Sequence, residues 1–251
     1  MSDLTNKRVL VTGSGAGIGR AIAELFISRG ARVVISDRDE QAAAATASAL
    51  SAAGVANCDV TDEEQVQGAV ASAVEQLGGL DVLINNAGIE VAAPLVQQST
   101  ESFDRIFAVN VRGPFVAMKA AIPHLVESKG NIVNMASIAG LGGSPLLGSY
   151  CATKAALVQL TRVAAIELRP SGVRVNAVCP GFADTSMVDR LRPEFEAATG
   201  ANFADLVAAK QGRLGTADDI ATVVALLASD DATWITGSAY VLDGGLTASL
   251  I

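Results

Sequence analysis

The chain has 251 residues, half of them apolar and 18% charged, which is enough to bury a large core and excludes extended disorder. A formal charge of −8 with no run of Lys and Arg argues against nucleic acid as a partner, so any phosphate must be held by backbone groups. His124 is the only histidine, which excludes a histidine triad or a multi-histidine metal site within one chain, and no apolar run approaches the roughly 18 residues of a membrane span.

In chain order, residues 7–12 (KRVLVT) read as a strand that ends at Gly13, and residues 17–29 repeat apolar positions at helical spacing. A second strand, 31–36, stops at Asp37; an alanine-rich helix covers about 40–53, and a short strand leads into Cys58-Asp59. Thr61 or Asp62 can cap a third helix running to Leu77, and the apolar stretch 80–84 ends at Asn85-Asn86-Ala87-Gly88. Then come a long helix near 100–127, a strand 131–135, a loop to Ser149, a helix 150–169 and a strand 173–178. Residues 181–215 are less regular, with charges and glycines between short helical pieces, and read as a lid, placed at about 182–215, before a helix near 217–228 and a last strand, 239–242. Each right-handed crossover lays a helix on the sheet, so this alternation predicts one doubly wound α/β domain over 1–251, a Rossmann-type parallel sheet with helices on both faces. The N-terminal stretch lacks the pattern of a signal peptide, so the expected location is the cytoplasm. Cys58, Cys151 and Cys179 are too few and too scattered for a disulfide framework or metal pattern and read as buried thiols.

Ligands of doubly wound sheets lie beyond the carboxyl ends of the strands. There, 12–19 (TGSGAGIG) opens the first helix, where unpaired N–H groups and the helix dipole favour a pyrophosphate. The spacing departs from GxGxxG because Ile18 holds the sixth place, and a plain structural turn has the same look. Asp37, at the end of the second strand, can accept hydrogen bonds from an adenosine ribose and would repel a 2′-phosphate, which favours NAD over NADP; a solvated strand end reads alike.

Tyr150 and Lys154 lie four apart, one turn along a helix face. Moving a tyrosine from about 10 to about 7 takes roughly 4 kcal/mol. One ammonium about 4 Å away supplies roughly that at an effective dielectric near 20, so Lys154 is expected to depress the phenol. Such a pair also occurs on ordinary surfaces. Ser137, just past the strand ending at Met135, can hold a substrate oxygen beside the phenol, or simply shape a turn.

Taken together, TGxxxGxG at 12–19, NNAG at 85–88 and the Tyr150/Lys154 YxxxK pair resemble the short-chain dehydrogenase/reductase family over essentially the whole chain. Ser137 falls thirteen residues before Tyr150, as in that family; Asn110 matches its fourth catalytic position, and Pro180-Gly181 with Thr185 its nicotinamide-contacting motif. The resemblance implies that Tyr150 exchanges the hydroxyl proton, Lys154 lowers its pKa and holds the nicotinamide ribose, Ser137 orients the substrate oxygen, and Asn110 holds a water of the proton relay. Cofactor contacts are implied at Gly13, Gly15, Gly17, Ile18, Gly19 and Asp37, and at Asp59 and Val60 beside adenine. Asn86, Ala87 and Gly88 would stand near the adenosine-side ribose, and Pro180, Gly181 and Thr185 near the carboxamide. Family members pair the long helices corresponding to 100–127 and 150–169, so a homotetramer or homodimer is expected.

The implied activity is interconversion of a secondary alcohol and a ketone. Substrate contacts are expected among Ile89, Glu90, Leu141, Leu147, Phe182 and Met187, mostly apolar, which suits a carbocyclic, aromatic or steroid-like alcohol better than a free sugar. Glu90 reads equally as an exposed loop acid. Asp62-Glu63-Glu64 and Asp218-Asp219 begin helices and suit the positive dipole end rather than a metal, and Trp234 reads as packing. The alternatives are epimerisation, dehydration or double-bond reduction on the same frame, or a dinucleotide-sensing regulator without turnover. The short YxxxK spacing and Ser137 favour carbonyl chemistry, because related enoyl reductases set tyrosine and lysine further apart.

Overall fold

A computed structural model describes residues 2–248. Seven strands form one parallel sheet: β1 (Arg8–Thr12), β2 (Arg32–Ser36), β3 (Gly54–Val55), β4 (Val82–Asn85), β5 (Asn131–Met135), β6 (Arg174–Pro180) and β7 (Ala239–Leu242). Their spatial order is β3-β2-β1-β4-β5-β6-β7, with every pairing parallel. The order reverses between β1 and β4, and a crevice opens at the carboxyl ends of strands at such a switch.

Strand pleating divides the core in two. Val9, Val11, Val33, Ile35, Val82, Ile84 and Val133 face one side, where they pack on α1 (Gly17–Ser28) and α9 (Ala217–Ala228). Leu10, Val34, Leu83 and Ile132 point the other way, onto α3 (Glu63–Leu77), α5 (Gly113–Ser128) and α6 (Gly148–Leu168). The first face also carries α2 (Glu40–Leu50), through Ala43, Ala47 and Leu50. The acidic runs begin helices as expected: the Asp62 side chain accepts from the N–H groups of Glu64 and Gln65, and Thr216 with Asp219 forms a capping box on α9. Such caps contribute about 1 kcal/mol each. Among the described residues no group of three or more His, Cys, Asp or Glu could hold a metal, and no helix is long and apolar enough to cross a membrane.

Three sequence expectations are corrected. The long helix over 100–127 is α4 (Thr100–Phe107), a π-helical turn over Ala108–Arg112, and α5. Pro114 has no N–H to offer the Asn110 carbonyl four residues back, so α-helical pairing cannot run through residue 110. The short helical pieces expected in the irregular stretch are a helix longer than expected, the 14-residue α7 (Ser186–Thr199), and α8 (Phe203–Lys210). Trp234, expected to pack, is 97% exposed, because the adjoining core position is taken by Ile235.

Candidate active site

The glycine turn is shaped by close approach. Gly13 has φ +63, and a Cβ on Gly19 would overlap the Gly13 carbonyl oxygen. Asn86 Nδ2 donates to the carbonyls of Thr12 at 3.0 Å and Gly13 at 2.8 Å, so the turn after β4 braces the turn after β1. Side chains cap α2, α3, α4, α7, α8 and α9; α1, with Ala16 at its N-cap, has no side-chain cap and no acidic residue in its first turn, as is also true of α5 and α6. The first N–H groups of α1 therefore face the cleft without an intramolecular side-chain acceptor, as an anion would require. Gly15 N–H donates to Asp37 Oδ2 at 3.0 Å, which fixes that carboxylate at the tip of β2. The Asp59 carboxylate is held by the Thr61 backbone N–H at 2.9 Å and hydroxyl at 2.7 Å, both of which lower its pKa.

One cleft of about 340 Å3 runs across the sheet edge from this end to the other. Gly13, Gly17, Ile18, Asp37, Asp59 and Val60 line its β1–β2 half. Asn86, Ala87 and Gly88 stand at the middle; Ser137, Tyr150, Lys154, Pro180, Gly181 and Thr185 line the rest. Gly15 and Gly19 lie behind the wall as supports. The residues expected to hold a dinucleotide thus occupy one continuous surface, with uncapped N–H groups at one end and a fixed carboxylate beside them.

Tyr150 and Lys154 project from the first turns of α6 into this cleft and are 9% and 4% exposed. Polar bonds hold that helix in the core: Asn110 Nδ2 donates to Thr153 Oγ1 at 3.1 Å, and Asn134 Nδ2 to Thr161 Oγ1 at 2.9 Å. Lys154 Nζ donates to the Met135 carbonyl at 2.7 Å and lies 5.5 Å from the centre of the Tyr150 ring. Burial pushes the Tyr150 phenol up to about 12, opposed by Ser137, and pulls Lys154 down to about 8. This corrects the expected depression of the phenol by Lys154: the ammonium bonds a carbonyl, and desolvation outweighs charge at both groups. Ser137 lies two residues past the end of β5, with its hydroxyl accepting from Ala139 N–H at 3.2 Å.

Asn110 is placed by the π turn. Its side-chain amide is fully committed, Oδ1 accepting from Ile89 N–H at 2.9 Å and Nδ2 donating to Ile89 O at 2.8 Å and to Thr153. The amide therefore clamps the loop after β4 to α6, and what residue 110 can offer a water is its carbonyl. Of the substrate candidates, Ile89 and Met187 line the cleft, while Leu147 and Phe182 join Ile89 in an apolar cluster around Tyr150. Leu141 is 45% exposed on a turn. Glu90 is no exposed loop acid: its side chain is 10% exposed and paired with Arg190 of α7.

Sequence reasoning missed Arg190 and Gln211. The buried Gln211 side chain accepts from Phe182 N–H at 2.9 Å and donates to the Phe182 carbonyl at 2.7 Å, tying together the two ends of the segment that carries α7 and α8. A glutamine after a short helix carries no signal of that task. Asn134 and Thr161 were legible only as apolar-run interruptions.

Fold and cleft define a Rossmann-type protein with a serine, a tyrosine and a lysine gathered at the carboxyl edge of its sheet. The family model described as enoyl-(acyl carrier protein) reductase matches residues 13–247. The chain is 42% identical to 2-(S)-hydroxypropyl-CoM dehydrogenase 3 of Xanthobacter autotrophicus, over 98% of each chain. Levodione reductase superposes with a TM-score of 0.92 at 33% identity, covering 98% of this chain and 99% of that one. The 3-ketoacyl-(acyl-carrier-protein) reductase of Brucella melitensis, solved with NADH, does so at 0.89 and 37%, covering 98% and 100%. The chain belongs to the short-chain dehydrogenase/reductase family.

Proposed function

We propose that the protein is an NAD-dependent oxidoreductase that interconverts a secondary alcohol and a ketone, with Tyr150 as general acid and base. What supports this most is the convergence of Ser137, Tyr150 and Lys154 on the wall of one cleft whose far end holds Asp37 and the uncapped start of α1. The named dehydrogenase and reductases to which the chain is similar act in the same sense. A nicotinamide dinucleotide bound along the cleft would supply the two-electron acceptor for the hydrogen on the carbinol carbon. Gly13, Gly17, Ile18, Asn86, Ala87 and Gly88 would hold its phosphates and adenosine-side ribose, Asp37 its ribose hydroxyls, Asp59 and Val60 its adenine, and Pro180, Gly181 and Thr185 its carboxamide.

The chain's own part follows from the geometry. The Ser137 hydroxyl donates to the substrate oxygen and fixes it beside Tyr150. Tyr150 donates its phenol proton when the ketone is reduced, a role suited by burial that keeps the phenol protonated over the working range; when the alcohol is oxidised it takes the hydroxyl proton while passing its own on toward the amine form of Lys154. Lys154, brought to about 8 by burial, exchanges its proton near neutral pH and can refill the phenol through intervening hydroxyl groups, while holding the nicotinamide-side ribose. Ile89, Leu147 and Phe182 exclude water around the reacting carbon. The segment from Phe182 to Gly215 acts as the lid, closed at its neck by Gln211.

The test is absorbance at the reduced-nicotinamide band with a panel of secondary alcohols and NAD, then NADP. Tyr150→Phe is expected to retain cofactor binding by fluorescence titration while kcat falls at least a hundredfold; a variant as active as wild type removes Tyr150 from the proton path. Asp37→Ala should weaken NAD about tenfold or more and narrow the gap to NADP, and an unchanged ratio of kcat/KM for the two cofactors would remove the ground for naming NAD.

A further inference from the structure

Resting on the oxidoreductase reading above, a charge pair at the cleft mouth narrows the substrate class. Glu90 follows the Asn85–Gly88 turn by two residues, and Arg190 Nε donates to its Oε1 at 3.1 Å and Nη2 to its Oε2 at 3.3 Å. Arg190 lines the cleft together with Ile89, Ser137, Tyr150 and Met187. The Glu90 charge is also one of the causes that hold the Tyr150 phenol high, which puts this carboxylate in the same compartment as the phenol.

The pair straddles the wall, with the Glu90 side chain 10% exposed and that of Arg190 63%; an ion pair with one partner in water contributes little to stability, while the buried carboxylate bears a desolvation cost. Stability alone therefore gives little reason for a charge pair beside Ile89 and Met187. The pair also has capacity left over. The bonds to Glu90 use Nε and Nη2 of the guanidinium, leaving the N–H groups of Nη1 outside the pair, and each Glu90 oxygen has a lone pair beyond those used. A neutral hydroxyl serves both partners at once, donating to the carboxylate and accepting from the guanidinium. A carboxylate or phosphate would have to displace Glu90 from Arg190, and an alkyl group would satisfy neither.

We propose that Glu90 and Arg190 together bind a second oxygen of the substrate, so that the preferred substrate is a neutral diol, or the matching hydroxyketone, on a mainly hydrocarbon frame. Simple secondary alcohols and anionic hydroxy acids are then poorer substrates.

The experiment is kcat/KM for cyclohexanol, cyclohexane-1,2-diol, cyclohexane-1,3-diol and 3-hydroxycyclohexane-1-carboxylate, with wild type, Glu90→Leu and Arg190→Leu. The double variant is included because a single one leaves its partner unpaired and can fail to fold. In wild type at least one diol should exceed cyclohexanol about tenfold, with the carboxylate slowest, and the variants should cut that ratio about tenfold, chiefly through KM. An unchanged ratio, with diol and cyclohexanol falling together, would make the pair a bolt for α7 and nothing more, and overturn the proposal. So would a wild type without diol preference, or one that prefers the carboxylate. Those outcomes leave the oxidoreductase reading standing; a wild type that reduces neither NAD nor NADP with any alcohol ends both.

Discussion

Tyr150 and Lys154 show burial and charge competing over two groups one helical turn apart. Lys154 carries an ammonium in a site that leaves it 4% exposed, with one hydrogen bond to the Met135 carbonyl. Its folded pKa, about 8, lies below the unfolded value of 10.5, so the amine is favoured by folding. That contribution is present above about 10.5 and lost as the pH falls through about 8; below it, the folded state bears a desolvation cost on the order of 3 kcal/mol. Lys154→Met removes this cost but strands the Met135 carbonyl, which offsets about 1 kcal/mol or more. The variant should therefore melt a few degrees higher than wild type at pH 7, with little advantage at pH 10.5, while losing nearly all turnover. Thermal melts across that range check it, and a variant less stable than wild type at pH 7 would show that the ammonium is better solvated than its burial implies. The sequence made the partners of this chemistry legible by spacing alone. It could not show their solvation, which depends on β5, on β6 and on the loop after β4, all remote in the chain. Glu90 was ambiguous for the same reason, since Arg190 lies a hundred residues away.

At the scale of elements, the segment proposed as a lid is tied at its neck by few bonds. Phe182 N–H and carbonyl are both satisfied by the Gln211 side chain, and Gly215 N–H donates to the same carbonyl at 2.9 Å. Gln211→Ala leaves the Phe182 N–H without that acceptor, a loss of about 1–3 kcal/mol at the neck of the proposed lid. Substrate KM is expected to rise about fivefold or more while cofactor affinity measured without substrate stays within about twofold; a fall in melting temperature with no change in KM would assign Gln211 to stability alone. The strands and the flanking helices were legible because most strands are short apolar runs, three of them stopped by Gly13, Asn85 and Gly181, and each helix has its own period. Residues 100–127 keep one period through the π turn, so only Pro114 hinted at the break that positions Asn110. Helical pieces were legible in 181–215, but Pro193 inside α7 disguised that helix's length.

For the molecule as a whole, several large apolar side chains of the described residues stand exposed outside the core, Leu95 and Val96 among them, and two further sets bear on association. One lies on the helices that flank the site: Phe103 on α4, Phe115 on α5, and Val163 and Ile166 on α6, with Ile166 65% exposed. The other includes Trp234, at 97%, and Val241 of the edge strand β7. Clusters of this kind mark association surfaces, and two separate ones on each subunit suit a tetramer with two kinds of contact rather than a dimer with one. A buried interface isoleucine contributes about 2–3 kcal/mol on each subunit, and an aspartate in its place adds the cost of a desolvated charge to a chain already at −8. Ile166→Asp should therefore split the assembly at the α4–α6 patch only, turning a tetramer into a dimer by light scattering, and adding Trp234→Asp should yield monomers. Because α6 carries Tyr150 and Lys154 on its inner face, the dimer should also lose activity, through kcat more than through cofactor affinity. A wild type that scatters as a monomer at micromolar concentration would mean that these patches face water in solution, and that the site is complete in one chain.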